Sequence, residues 1–171
     1  MTILYLVRHG ETVDNVNRIL QGQCQGRLSQ KGIEQAQKVR DEMRDKRIDV
    51  FVASDLQRSI DTCSIIAEPH GKPLVLTPLL RERDWGGFTG AFIPDLKDKP
   101  WPTDVETLDA MKLRAQKFLR FLTERYSGQT ILAVGHGIIN KAIQSVFLGK
   151  PMNEVQKMDN AEVRILVLKK T

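Results

Sequence analysis

Two histidines and two arginines lie where short apolar segments of this chain give way to polar residues. Arg8 and His9 follow the β-forming residues 3–7, Arg58 comes shortly after residues 49–53, and His136 comes shortly after residues 130–134. Imidazole is a good nucleophile, and guanidinium can bind two oxygens of an anion at once. Taken singly, each residue could be a turn histidine or a surface arginine, but the set favours chemistry on a phosphoryl group.

Strands that alternate with helices must bring these residues together. We expect strands over residues 3–7, 49–53, 74–76, 130–134 and 163–168, and helices over residues 32–47, 54–68, 108–127 and 137–147. Such alternation predicts an α/β fold, a three-layer sandwich with a mostly parallel central sheet and helices on both faces. The length of 171 residues fits a single domain over residues 1–171.

Three strand-to-helix junctions should then meet at one edge of the sheet, at residues 8–10, 54–58 and 135–137. Arg58 would occupy the first turn of its helix, and His136 would lie just ahead of its own. Free N–H groups at helix N-termini favour anions, so the junctions predict a phosphate pocket. Ser54 and Asp55 are expected to cap the helix that follows them, with Gln57 completing a capping box.

Composition argues against several other classes of function. The net charge of +5 comes with basic and acidic residues interleaved over residues 38–47 and 112–125, which is typical of solvated helix faces, so we expect no nucleic-acid partner. No apolar run has the length of a membrane span and no basic leader opens the chain, which favours a cytoplasmic protein. Cys24 and Cys63 have no Cys or His at metal-ligand spacing, so we expect neither a disulfide nor a metal site.

Four segments of the chain resemble the histidine phosphatase superfamily, also called the phosphoglycerate mutase-like family. They are Arg-His-Gly-Glu-Thr at 8–12, Ser-Asp-Leu-Gln-Arg at 54–58 with Ser59 and Thr62, Leu-Arg-Glu at 80–82 with Gly86 and Gly90, and Ala-Val-Gly-His-Gly at 133–137. Glu106 and Arg114 match a further, weaker pattern. Gln25, Arg27 and Lys141 stand where many relatives have Asp, Pro and Arg. The first two of these departures are expected to border the cleft, which leaves the substrate preference undetermined.

The resemblance implies roles for individual residues. His9 would attack phosphorus and become a phosphohistidine, and Glu82 would protonate the leaving oxygen, with Asp84 as the second choice for this acid. The implied catalytic residues are His9, Glu82, His136, Arg8 and Arg58; the implied substrate-binding residues are Arg8, Gly10, Asn15, Arg58, His136 and Gly137. No metal and no cofactor is implied.

Three functions remain open from the sequence. The first is a metal-independent phosphatase that hydrolyses small phosphate monoesters of metabolites, as a histidine acid phosphatase does. The second is a phosphoglycerate mutase, which would return the phosphoryl group to a bound acceptor. The short insertion after the acid loop and the end of the chain directly after the final strand favour hydrolysis. The third, a non-catalytic protein that binds phosphorylated ligands, should lack the nucleophile or the acid. Neither the substrate nor the presence of a homodimer can be read from the sequence.

Overall fold

Five strands form one sheet in the computed structural model, which describes residues 1–169. They are β1 (Thr2–Arg8), β2 (Val50–Ala53), β3 (Leu74–Leu76), β4 (Thr130–Gly135) and β5 (Val163–Leu168), in the spatial order β3-β2-β4-β1-β5. The first four strands are parallel, and β5 runs antiparallel to β1. The sheet is therefore mixed but mostly parallel, as the alternation of strands and helices predicts.

Helices cover both faces of this sheet. They are α1 (Val13–Val16), α2 (Gln30–Met43), α3 (Gln57–Ala67), α4 (Leu108–Arg125) and α5 (Gly137–Leu148). Ile131 and Ala133 of β4 pack in the same core cluster as residues of α4 and α5, whereas Leu132 and Val134 pack with residues of α2 and α3. Because alternate residues of a strand point to opposite faces, one buried strand serves two cores, and the expected three-layer sandwich is confirmed.

Polar capping residues set the first residues of α1 and α2, and these starts differ from the sequence predictions. Ser29 caps α2, its side chain accepting from the Gly32 amide, so α2 begins at Gln30, ahead of the apolar periodicity. The short helix α1 was not predicted, since four residues are too few to show a period. It is closed by a reciprocal capping box between Thr12 and Asn15.

The predicted capping box at the start of α3 is wrong. Leu56 is the residue at the cap position, and no side chain of its own caps the helix there. Ser54 Oγ instead lies 2.7 Å from His136 Nε2, and the Gln57 amide donates to Gln25 Oε1 at 3.0 Å. The cap thus comes from a residue distant in sequence, because Ser54 is used by the neighbouring junction.

The signature residues 8–12 rest directly on the start of α2. A Cβ atom added to Gly10 would lie 2.5 Å from the Gly32 carbonyl oxygen, and one added to Gly32 would lie 2.0 Å from the Glu11 carbonyl oxygen. Backbone therefore packs on backbone here, which no side chain larger than hydrogen allows. This close backbone packing fixes the position of His9, which lies between the end of β1 and Gly10.

None of the helices within residues 1–169 combines the length and apolarity needed to cross a bilayer.

Candidate active site

A cavity of about 280 Å³ lies at the edge of the sheet where β1, β2 and β4 end. Six of the eight predicted site residues line it: Arg8, His9, Asn15, Arg58, Glu82 and Gly137. All three strand-to-helix junctions contribute to this wall, as their position in a parallel sheet predicts. Gly10 and His136 do not line the cavity.

His9 is held as a neutral imidazole with one ring nitrogen free. Its side chain is buried, and its Nδ1 lies 2.7 Å from the Gly10 carbonyl oxygen, so Nδ1 carries the proton that this bond requires. Burial, together with the nearby Arg58 and Arg8 guanidinium groups, lowers the pKa of His9 to about 3. The unprotonated Nε2 is therefore available as a nucleophile at neutral pH.

His136 lies behind His9 and is completely buried. The two rings meet edge to face with centroids 5.0 Å apart. Ser54 Oγ accepts a weak bond from the Leu56 amide, so its own hydrogen can be donated to His136 Nε2, and the ring proton then sits on Nδ1. Burial, with the nearby Arg58, holds the pKa of His136 well below its usual value.

The two arginines present different numbers of free N–H groups. Arg8 Nη1 donates to the Met158 carbonyl oxygen at 2.7 Å, which leaves the edge formed by Nε and Nη2 for a ligand. Arg58 Nη2 donates to the Gly22 carbonyl oxygen at 2.7 Å, and Nη1 donates to the Cys24 carbonyl oxygen. Arg8 can therefore bind an anion through Nε and Nη2, whereas both terminal nitrogens of Arg58 already donate to backbone carbonyl groups and its Nε has no partner among the described residues.

Three buried polar atoms around His9 have no hydrogen-bond partner within residues 1–169: Arg8 Nε, Arg58 Nε and His136 Nδ1. Each is an N–H donor in the protonation state described above. Leaving a buried donor unpaired costs about 1–3 kcal/mol, more when the group is charged. A bound oxyanion beside His9 would supply acceptors for the arginine donors.

Glu82 closes the cavity from the side of α5. Its carboxylate accepts bonds from the Ile138 amide at 3.0 Å, the Ile139 amide at 3.0 Å and the Arg83 amide at 2.9 Å. The helix N-terminus therefore fixes the carboxyl group beside the end of β4. Asp84 is exposed, does not line the cavity and accepts from the Gly86 amide, so the geometry favours Glu82 over Asp84.

Arg114 holds the loop that carries Glu82. Its guanidinium pairs with the Glu106 carboxylate at 2.8 Å and donates to the Leu79 carbonyl oxygen at 3.1 Å and the Arg81 carbonyl oxygen at 2.5 Å. The weak sequence pattern of Glu106 and Arg114 thus has a structural explanation, because α4 anchors the acid loop from outside the cavity.

Asn15 and Gly10 differ in their access to the cavity. Asn15 Oδ1 accepts from the Thr12 amide at 3.0 Å, so its NH₂ group is the part available to a ligand. The Gly10 amide donates to Thr62 Oγ1 at 3.1 Å and is not free to bind substrate. Gly10 therefore supports His9 through its carbonyl group and its close packing.

Residues 158–161, which no sequence pattern indicated, hold Arg8 and His9 in place by hydrogen bonds. Met158 accepts the bond from Arg8, the Asn160 amide group donates to the His9 carbonyl oxygen at 3.2 Å, and the Ala161 amide donates to the Arg8 carbonyl oxygen at 2.9 Å. Lys157, just before this segment, lines the cavity together with Lys141. Arg27, Lys97 and Lys99 do not line the cavity.

Acid is expected to destabilise the protein through the two buried histidines. The unfolded chain protonates an ordinary histidine below about pH 6.5, whereas His9 and His136 stay neutral in the fold, so the free energy of unfolding falls as the pH falls. For His9 this loss is about 2 kcal/mol between about pH 7 and pH 5. Urea titrations at these pH values should show that His9→Gln loses less stability than the wild type by about that amount. An equal loss in both proteins would contradict a neutral, buried His9.

Comparison with known proteins places this geometry in context. The sequence model of the histidine phosphatase superfamily (branch 1) matches residues 4–171. A probable phosphoglycerate mutase GpmB from Enterobacter sp. (strain 638) is 34% identical over 165 residues, which span 88% of this chain and 77% of the relative.

Two solved structures share the fold closely. A mycobacterial glucosyl-3-phosphoglycerate phosphatase, complexed with VO3, is 25% identical with a TM-score of 0.89, over 96% of this chain and 92% of that one. The α-ribazole phosphatase from Shigella flexneri is 25% identical with a TM-score of 0.89, over 98% and 91% of the two chains. Each of these two proteins therefore shares its fold with this protein over more than nine tenths of both chains.

Proposed function

Because the chain belongs to the histidine phosphatase superfamily, we propose that it is a metal-independent phosphatase that hydrolyses small phosphate monoesters of metabolites through a phosphohistidine. The observation that carries this proposal is the neutral His9 beside two buried arginine donors, Arg8 Nε and Arg58 Nε, that lack acceptors among the described residues. Unpaired buried donors cost free energy, and the oxygens of a phosphate monoester are the acceptors that these donors lack.

The first half of the reaction transfers the phosphoryl group to His9. Arg8 Nε and Nη2, with Arg58 Nε, hold the non-bridging oxygens, and His9 Nε2 attacks phosphorus. The bond from Nε2 to phosphorus forms while the bond from phosphorus to the ester oxygen breaks. Glu82, in its protonated form, gives its proton to the departing oxygen, so the alcohol leaves neutral.

The second half restores the enzyme. Glu82, now a carboxylate, accepts a proton from a water molecule whose oxygen attacks phosphorus. The bond from Nε2 to phosphorus breaks, inorganic phosphate forms, and His9 returns to its neutral state. His136, buried behind His9 with its Nδ1 proton, and the Gly10 carbonyl group keep the nucleophilic ring in place.

Metal independence is part of the proposal, since the chain provides the positive charge itself. Two arginines and two lysines line the cavity against one carboxylate, Glu82. Fixed cationic donors can stabilise the charge that develops on the phosphoryl oxygens, which is the usual contribution of a metal ion in phosphoryl transfer.

The test is phosphate release from a panel of small monoesters in excess chelator. We expect turnover of several members and a rate that added Mg²⁺ does not raise. Quenching with alkaline detergent during turnover of a labelled substrate should trap an acid-labile, base-stable phosphoenzyme, as phosphohistidine is. Release that stops in chelator would overturn the metal-free mechanism, and no release from any member would overturn the phosphatase function.

A phosphoglycerate mutase is the second candidate, because relatives such as the Enterobacter protein carry that name. The two functions share the phosphohistidine and differ in the acceptor. Conversion of 3-phosphoglycerate into 2-phosphoglycerate faster than into inorganic phosphate would establish the mutase. We propose hydrolysis because the segment after the acid loop is short: its residues 91–93 pair with residues 18–20, and residues 91–103 contribute only Ile93 to the cavity wall.

A further inference from the structure

The cavity holds more positive charge than one phosphate group requires. Arg8 and Arg58 already provide the donors nearest to His9, and Lys141 and Lys157 line the same cavity. Four cationic side chains that line one cavity, of which Lys157 is the exposed one, repel each other when no anion is present. The excess therefore indicates a ligand with more negative charge than a simple phosphate monoester carries.

Both lysines lie on the side of the cavity next to Arg8. Lys141 follows Gly137 and Ile138 by four and three residues on α5, so the three share one helix face, and all three line the cavity. An added Cβ atom on Gly137 would lie 3.5 Å from Arg8 Cζ, which places the start of α5 against the guanidinium.

Lys157 reaches the same side from the segment before β5. It directly precedes Met158, whose carbonyl oxygen accepts the bond from Arg8 Nη1. Asn140 Nδ2 lies 3.7 Å from Met158 Sδ, so the chain neighbours of the two lysines are in contact. Lys141 and Lys157 therefore flank Arg8. The apolar residues of the lining are Ile19, Leu20, Trp85, Ile93 and Ile138.

No carboxylate within residues 1–169 neutralises either lysine. The ion pairs of the described chain involve neither Lys141 nor Lys157. Glu82 is the one acidic residue that lines the cavity, and its oxygens accept from three backbone amides. Both ammonium groups are left with hydrogen-bond capacity for a ligand.

We propose that Lys141 and Lys157 form a second anion subsite, so that the preferred substrates are phosphate monoesters with a further anionic group, a carboxylate or a second phosphate, a few bonds from the reacting ester. This inference rests on the proposed phosphatase function and names its substrate class. The reacting phosphate binds Arg8 and Arg58, and the second anion meets the lysines on the far side of Arg8.

A matched pair of substrates tests the subsite. Glycerol 3-phosphate and 3-phosphoglycerate differ in a hydroxymethyl group against a carboxylate, and O-phosphoethanolamine and O-phosphoserine differ by the carboxylate alone. We expect kcat/KM to be about tenfold or more higher for the carboxylate member of each pair, as charge-assisted bonds to two ammonium groups imply. Glycerol 1,3-bisphosphate forms a third arm, which shows whether the subsite prefers a carboxylate or a phosphate.

Variants assign the preference to these residues. The double variant Lys141→Gln, Lys157→Gln should reduce the ratio of kcat/KM within each pair to below about three, mainly through a higher KM for the anionic member. Lys141→Arg with Lys157→Arg should retain the preference, since the charge is retained. Lys150→Gln, an exposed lysine outside the cavity, serves as the matched control and should leave the ratio unchanged.

The outcomes separate the subsite from the proposed phosphatase function. Hydrolysis of both members of a pair with equal kcat/KM by the wild type would overturn the subsite while the phosphatase function stands. An equal loss for both members in the double variant would also overturn it, since the lysines would then act only on the common phosphate. Failure of the wild type to hydrolyse any of these esters would instead refute the proposed function.

Discussion

Replacing His9 with alanine is expected to abolish turnover of every phosphate monoester, with kcat lowered by at least about 10⁴-fold. The reason is that the alanine variant has no nitrogen that could form the bond to phosphorus, while the donors that bind the phosphate remain. His9 Nδ1 bonds only the neighbouring Gly10 carbonyl group among the described residues, so the substitution leaves the arginine contacts in place. Phosphate release and trapping of the phosphoenzyme, measured on wild type and variant, check this prediction.

Two controls separate loss of the nucleophile from loss of the fold. Thermal unfolding and binding of inorganic phosphate should be retained in the variant, because Arg8 and Arg58 are anchored by carbonyl groups of other segments. His70→Ala removes a histidine that packs on Phe51 and lies 3.1 Å from the Met43 carbonyl oxygen, and it should retain full activity. Release by His9→Ala within tenfold of the wild-type rate would show that water attacks the ester directly.

The sequence predicts the parts of the site that follow from strand order. Arg8, Arg58 and the His136 junction could be placed at one edge because parallel strands that alternate with helices end on the same side. Glu82 could be selected only through the family resemblance. Its position becomes understandable in the structure, where the amides of Ile138 and Ile139 bind its carboxylate.

Other parts of the site depend on contacts without a local signal. Met158 binds Arg8 through a backbone carbonyl group across 150 positions of the chain, and any residue type could supply that acceptor. The anchoring of Arg58 has the same origin, since backbone carbonyl groups of Gly22 and Cys24 accept from its terminal nitrogens. Gly10 was expected to contact substrate, yet its backbone is needed against α2 and Thr62.

Glu82→Gln should slow transfer from alkyl phosphates by about 10² to 10⁴-fold and transfer from an aryl phosphate far less. An alkoxide is a poor leaving group and needs the proton, whereas nitrophenolate leaves without one. Glutamine has the same shape, and its Oε1 can still accept from the amides of Ile138 and Ile139, although the bond from Ile138 to Oε2 is lost, so α5 keeps part of its cap. A larger decrease in rate for the alkyl than for the aryl phosphate therefore shows loss of the proton donor, since damage to the fold would slow both substrates.

The measurement must isolate the first half of the reaction, because Glu82 also activates water in the second. Rapid quenching during a single turnover gives the rate of phosphohistidine formation from glycerol 3-phosphate and from p-nitrophenyl phosphate. With the aryl ester, the variant should form the phosphoenzyme at nearly the wild-type rate and then accumulate it, since hydrolysis lacks its base. Asp84→Asn is the matched control: Asp84 lies two residues away and outside the cavity, and its variant should behave like the wild type. Equal slowing of the first step for both esters by Glu82→Gln, or the selective pattern in Asp84→Asn, would remove Glu82 from the role of acid.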